Sequence, residues 1–300
     1  MLADRSKLAL GCNNAGFVLI AVLTVTALLA LMLTSVTLLA RGGIDTAILV
    51  DDVIDEDALI RSGIELAGHQ LFVLGADPAL LSGQQLRLNS GTVTIFASSE
   101  AGKVDLNGAN IVLLIAAYKA AAMTTLTPSQ FAARVIDWRD DNDTTMPEGA
   151  EAVDYRAAGL GYMPPNAPFR SIADLQYVMG LSLPDVAAIS PFITVSNPAG
   201  KIDPMFAPVA LLAALPNLSS TALNALADAR SRNGLDRVFH LRSIFRGLEQ
   251  HLVLGEALRV FAVHIEARAT TTLSLKTADA VLIAPVLSRR AFQITQWRER

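Results

Sequence analysis

The stretch GCNNAGFVLIAVLTVTALLALMLTSVTLLARGG, residues 11–43, decides how the rest of the chain is read. From Phe17 to Ala40 it runs 24 residues without a charge or a proline. At about 1.5 Å rise per residue, such a helix crosses a bilayer core of roughly 30 Å, so a membrane-spanning helix is predicted. The run is too long for the apolar part of a cleaved secretory signal, roughly 7–15 residues. Arg5 and Lys7 precede it, which predicts a cytoplasmic N-terminus and export of everything after Arg41; Arg41 itself weakens that bias.

Beyond residue 43 the composition is that of a globular protein, so the 52% hydrophobic content of the 300 residues is inflated by one end. The only cysteine, Cys12, lies ahead of the span, leaving the exported part without an internal disulfide. A net charge of −4 offers no basic field for nucleic acid.

Outward from the span, Ile60, Ile64, Ala67, Leu71 and Leu74 recur at steps of four and three, the stripe of an amphipathic helix that continues the membrane helix. Its start is acidic, with Asp51, Asp52, Asp55, Glu56 and Asp57, which reads as a solvated face or as a docking surface. Residues Leu86 to Asn107 alternate apolar and polar around Asn89-Ser90-Gly91 and read as a hairpin. Near the other end RVFAVHIEAR (259–268) places Phe261, Val263 and Ile265 on one face, and TLSLKTADAVLIA and AFQITQW supply two further strands.

Between these strands lies an Ala- and Leu-rich region with helical spacing, too long for an ordinary connection, so it is an inserted helical subdomain. It carries a repeat. AGKVDLNGANIVLLIAAY (101–118) aligns without gaps to AGKIDPMFAPVALLAALP (199–216), and each copy leads to a second helix ending at an arginine, IDWR or ADAR. Two helical hairpins are the simplest reading. DNA-binding hairpins use glycines at the turn to approach phosphate, and here the turn reads Leu215-Pro216-Asn217-Leu218-Ser219, which lacks them.

A short leader with basic residues, then Gly16, Phe17 and an unbroken apolar helix resembles the N-terminus of type IV pilins and type II secretion pseudopilins. The resemblance implies prepilin peptidase cleavage after Gly16 and N-methylation of Phe17. The family usually has Glu at the fifth mature position, which here is Ala21. The K-type minor pseudopilins (GspK) share that departure, and VIDWRDDNDTTMPEGAEAVDYRAAGLGYMPPNAPFRSIADLQYVMGL (135–181) resembles their signature: Asp137-Trp138, an acidic loop, Gly149-Ala150-Glu151, a Tyr, a Pro-Asn turn and a helix running to Gly. The match departs at Ile202-Asp203-Pro204-Met205-Phe206-Ala207, where the family tends to be Asn-rich.

The resemblance implies an α+β fold, with a pilin-like long N-terminal helix, an antiparallel sheet and a large inserted all-helical subdomain. The expected parts are a leader (1–16), the transmembrane half of the helix (17–41), helix and first strands (42–107), the insertion (108–255) and C-terminal strands (256–300). It implies a subunit of the inner membrane with its bulk in the periplasm, assembled at the tip of the pseudopilus with I-type and J-type minor pseudopilins. Prepilin peptidase, the major pseudopilin, secreted proteins and the outer-membrane secretin follow as further partners, and nucleic acid does not. The rival readings are a periplasmic domain on a plain signal anchor and a DNA-handling minor pilin.

The acidic loop holds Asp137, Asp140, Asp141, Asp143, Glu148, Glu151 and Asp154. Such a density of hard oxygen ligands suits Ca²⁺, and the family resemblance implies bound calcium in this subdomain; a solvated loop is the alternative. It is not an EF-hand, because Met146 and Ala152 stand where the glycine and bidentate Glu belong. No nucleophile elbow, phosphate loop or His-Glu-x-x-His is present, and His69, His240, His251 and His264 are scattered. Trp138 and Trp297 read as packing anchors, and the chain reads as a structural protein, not an enzyme.

Overall fold

The computed structural model describes residues 15–231, 234–254, 259–270, 275–285 and 290–299, with side chains described except at 15–16, 40–52 and 234–236. Arg5, Lys7, Cys12 and most of the leader therefore lie outside the described residues, as do the side chains of Asp51 and Asp52. The chain divides into two compact units, Met1–Ala58 and Leu59–Arg300.

In the first unit the structure is helix α1, which starts at Ala15 and is continuous to Gly68. Phe17–Leu39 is long and apolar enough to cross a membrane, and none of it is buried against protein. Its hydroxyls are satisfied within the helix: Thr26 Oγ1 donates to the Val22 carbonyl at 3.0 Å and Thr34 Oγ1 to that of Ala30 at 2.8 Å. That self-bonding is what hydrocarbon demands of a polar group with no water to turn to.

The second unit holds two cores. One lies between the last turns of α1 and a five-stranded antiparallel sheet, ordered β1-β2-β5-β6-β7. Its strands are β1 (Gln84–Leu88), β2 (Gly91–Ser99), β5 (Val260–Ala269), β6 (Lys276–Ile283) and β7 (Gln293–Glu299). The alternation in β2 and β5 sends Val93, Ile95, Val263 and Ile265 to the helix side, where they meet Ile60, Ile64, Ala67 and Leu71, all at most 2% exposed.

Leu74 departs from the expected stripe and is 67% exposed. Helix α1 ends in a π-turn, His69–Val73, in which Leu74 N–H reaches back to the His69 carbonyl at 3.1 Å. The wider turn rotates everything after it off the α-helical phase. Trp297 packs at the margin of this core under Arg61, whose guanidinium stands 5.7 Å from the ring centroid.

Between β2 and β5 sits the helical insertion, with its own core. It comprises α3 (Ile111–Ala120), α4 (Pro128–Arg139), α5 (Ala152–Ala157), α6 (Leu183–Ile189), α7 (Val209–Ala213), α8 (Ser220–Ser231) and α9 (Gly234–Ile244). The expected boundary at 107/108 falls between Val104–Asp105 and α3. The hairpin ends at Ser99, and Val104–Asp105 (β3) pairs in parallel with Ile193–Thr194 (β4) inside the insertion. The insertion thus begins before residue 104 and is helical apart from this small pair and a bridge between Ile202 and Leu252.

Candidate functional site

The acidic loop leaves α4 and re-enters helix at α5. Helix α4 opens with a Thr127/Gln130 capping box and Pro128 in its first turn, and its buried face carries Phe131, Val135, Asp137 and Trp138. Trp138 packs on Phe169, with centroids 5.7 Å apart, and on Tyr155, so the loop between these residues is drawn over an aromatic floor.

Burial sorts the seven acids into different roles. Asp137 is fully buried and accepts from Ala150 N–H at 2.8 Å and Met146 N–H at 3.2 Å, tying the loop to the helix. Burial pushes its carboxyl up, and these amide bonds oppose that. A side chain at Gly149 would collide with this carboxylate. Asp154 Oδ2 accepts from Glu151 N–H at 2.8 Å and caps α5. Asp143 accepts from Asn166 Nδ2 at 2.9 Å, Glu148 from Thr127 Oγ1 at 3.3 Å, and Asp141 is exposed.

Glu151 is the unusual one. It is 2% exposed, yet neither carboxylate oxygen has a hydrogen-bond partner, and Asp140 Oδ1 is likewise buried and unpartnered. Its carboxyl is pushed up to about 7, first by burial and then by Asp137, Asp140 and Asp143. Buried charges of one sign with orphaned oxygens require neutralisation by a proton or a cation. Among the described residues no three His, Cys, Asp or Glu side chains form a ready cage. A cation here would also draw on backbone carbonyls or water, as Ca²⁺ commonly does.

The repeat gives the loop its scaffold. Asp105 Oδ1 accepts from Asn107 and Gly108 N–H at 2.7 and 2.8 Å, and its counterpart Asp203 accepts from Met205 N–H at 2.8 Å. The arginines that close the two hairpins do the same job. Arg139 donates to the carbonyls of Leu106 and Ala109, and Arg230 to those of Pro204 and Ala207, the aligned positions of the second copy. A side chain at Gly102 would meet the backbone of Phe206 and Ala207, and one at Gly200 that of Gly108, so the copies dovetail reciprocally. Sequence reasoning found the repeat but not this internal use of the arginines, which only the carbonyl positions reveal.

Gly16 and Phe17 stand in the first turns of α1, with Phe17 76% exposed, and Ala21 follows one turn on. The histidines do not converge. His251 is buried between Asn110 Nδ2 and Gln250 Nε2, at 2.9 and 3.1 Å, and His264 is bound to Asp279 at 2.7 Å.

Residues 107–198, spanning α3 to β4 and the acidic loop, match the family model described as type II secretion system (T2SS), protein K. That stretch, about a third of the chain, is what resembles the K component of a type II secretion system. A chain of the crystal structure of the GspK-GspI-GspJ complex from the enterotoxigenic Escherichia coli type 2 secretion system is similar in fold to this chain. Its TM-score is 0.56 at 13% identity, over 84% of this chain and 95% of that one. Among curated proteins none matches the sequence significantly. The matched segment lies between β2 and β5, so it interrupts the pilin-like sheet without disturbing the β2-β5 pairing, which runs from Gly91↔Ala269 to Ser99↔Phe261.

Proposed function

We propose that this protein is a K-type minor pseudopilin that sits at the tip of a type II secretion pseudopilus, starts its assembly and supports export of folded proteins through the outer-membrane secretin. The observation that carries the reading is the protein K domain set between two neighbouring strands of a pilin-like sheet. Its action is mechanical and templating. Helix α1 anchors the subunit in the inner membrane, prepilin peptidase removes residues 1–16, and Phe17 becomes the methylated N-terminus. The I-type and J-type minor pseudopilins bundle with the apolar half of α1, whose side chains from Phe17 to Leu39 find no partner within the chain.

The absence of an acid at Ala21 supports the tip position. A carboxylate in hydrocarbon costs roughly 2.5–3.5 kcal/mol unless it is paired, and a subunit with no neighbour above it has no use for one. Calcium belongs to the same reading. Glu151, with its two unpartnered oxygens, and Asp140 would hold the ion together with backbone carbonyls or water, and Asp137 would hold the loop. The ion would supply the positive charge that these buried carboxylates lack.

Mass spectrometry of the N-terminal peptide from native membranes tests the reading. A peptide beginning at N-methylated Phe17 is expected. One beginning at Met1 or Leu2 would reduce the protein to an anchored periplasmic domain.

A further inference from the structure

A cleft of about 1130 Å³ opens where α1 ends, with the loop after the helix on one side and the second hairpin on the other. The π-turn turns Val73 and Leu74 out to 54% and 67% exposure, and both line this cleft. Met205, Phe206 and Pro208 line it as well. Aliphatic side chains held in water within a cleft give it an apolar wall that a ligand could cover.

Among the described residues, the charge lining the cleft opposes that of the chain. The protein carries −4 overall, but Lys103, Arg230, Arg237 and Arg259 all line this cleft, and Asp77 is the one acid among the described lining residues. Asp77 Oδ1 is occupied by Ala79 N–H at 2.9 Å. Lys103 pairs with Glu100 at 2.7 Å.

Two of the guanidiniums are held in place by the fold. Arg230 is fixed on the Pro204 and Ala207 carbonyls, and Arg259 on the Leu71 carbonyl with its charge 5.0 Å from the Phe72 ring centroid. Arg237 feels the buried Asp203 carboxylate. Guanidiniums held in advance lose little freedom when an anion arrives.

We propose that this cleft docks an acidic, apolar-flanked polypeptide segment of a partner protein. Its carboxylates meet Arg237 and Arg259, and an aliphatic or aromatic side chain lies against Leu74 and Phe206. The cations stand on separate elements, which favours a ligand with several spaced carboxylates over the single headgroup of a fatty acid. The proposal stands apart from filament assembly, since it concerns a binding event that an unassembled subunit would show.

Fluorescence anisotropy on the full chain in lipid nanodiscs tests it. The probe is a labelled peptide alternating Asp or Glu with Leu and Phe; the control replaces every acid by its amide. Saturable binding of the acidic peptide is expected, about tenfold weaker for the amide peptide and for Arg237→Glu, measured at a temperature where melting shows the variant folded. Affinity should also fall severalfold between about 0.05 and about 0.5 M salt. Leu74→Ser should weaken binding without changing the salt slope. Equal binding of the amide peptide, indifference to Arg237→Glu, or no saturable binding overturns the proposal. Dodecanoate binding more tightly than the peptide would also overturn it, in favour of a lipid anion.

Discussion

Glu151 offers a test of the proposed ion at the scale of one residue. Its carboxyl is raised from 4.5 to about 7, so between those values the folded chain holds a proton that the unfolded chain has released. This contribution to folding is complete below about pH 4.5 and is lost as the pH climbs to about 7, because the native state is the one that binds more protons. Asp203, pushed up to about 6 by burial against the pull of Arg237 and Arg230, adds in the same direction. In chelator, the melting temperature of the wild type should therefore fall between about pH 5 and about pH 7. Glu151→Gln should flatten that fall and raise the melting temperature of the chelated protein at neutral pH; millimolar calcium is expected to raise the melting temperature of the wild type and not of this variant. An equal calcium response in Glu151→Gln would move the ion elsewhere or dismiss it. The acidity of the loop is visible in the sequence. The difference between Asp141, exposed, and Glu151, buried, is not, because it depends on where Tyr155 and Trp138 pack.

Elements show both what spacing can reveal and where it stops. The helical hairpins were legible as a repeat, since positions of Asp, Ala and Leu coincide over 101–118 and 199–216. The β3-β4 pair was not, since two-residue strands about ninety positions apart leave no periodicity to read. The arginines give the repeat an energetic test. Each holds two loop carbonyls, and a hydrogen bond from a charged donor contributes about 1.5–3 kcal/mol. Arg139→Met should cost at least about 2 kcal/mol in urea unfolding, and Arg139→Lys should recover only part of it, because a point ammonium cannot span both carbonyls as the fork does. Full rescue by lysine would mean that charge, not geometry, matters there. The π-turn makes a paired prediction. Leu71→Ala should cost about 2–5 kcal/mol as a core truncation, whereas Leu74→Ala, three positions on in the same apparent stripe, should stay within about 0.5 kcal/mol. Similar losses at both sites would show that the helix keeps its α-phase through residue 74.

At the scale of the molecule, one chain joins two kinds of stability that do not substitute for each other. The globular unit is held by two water-excluding cores. The apolar half of α1 adds nothing to those cores, since none of Phe17–Leu39 is buried; on the proposed reading, lipid and neighbouring subunits provide its environment. That division was legible in residues 11–43, because length and lack of charge suffice to mark a span. The position of a subunit in a filament leaves a fainter mark, and here it rests on Ala21. A glutamate at that place is tolerable only when a positive group of a neighbour meets it, because an unpaired acid in hydrocarbon costs roughly 2.5–3.5 kcal/mol. If the K-type subunit ends the filament, Ala21→Glu gains no partner and bears that cost in full. On the proposed reading, in which cleavage after Gly16 precedes assembly, the variant should be cleaved as the wild type is but should recover severalfold less I-type and J-type subunit on co-purification from membranes. Undiminished recovery together with normal secretion would mean that something does meet the new carboxylate, and the subunit would then have to sit within the filament and not at its end.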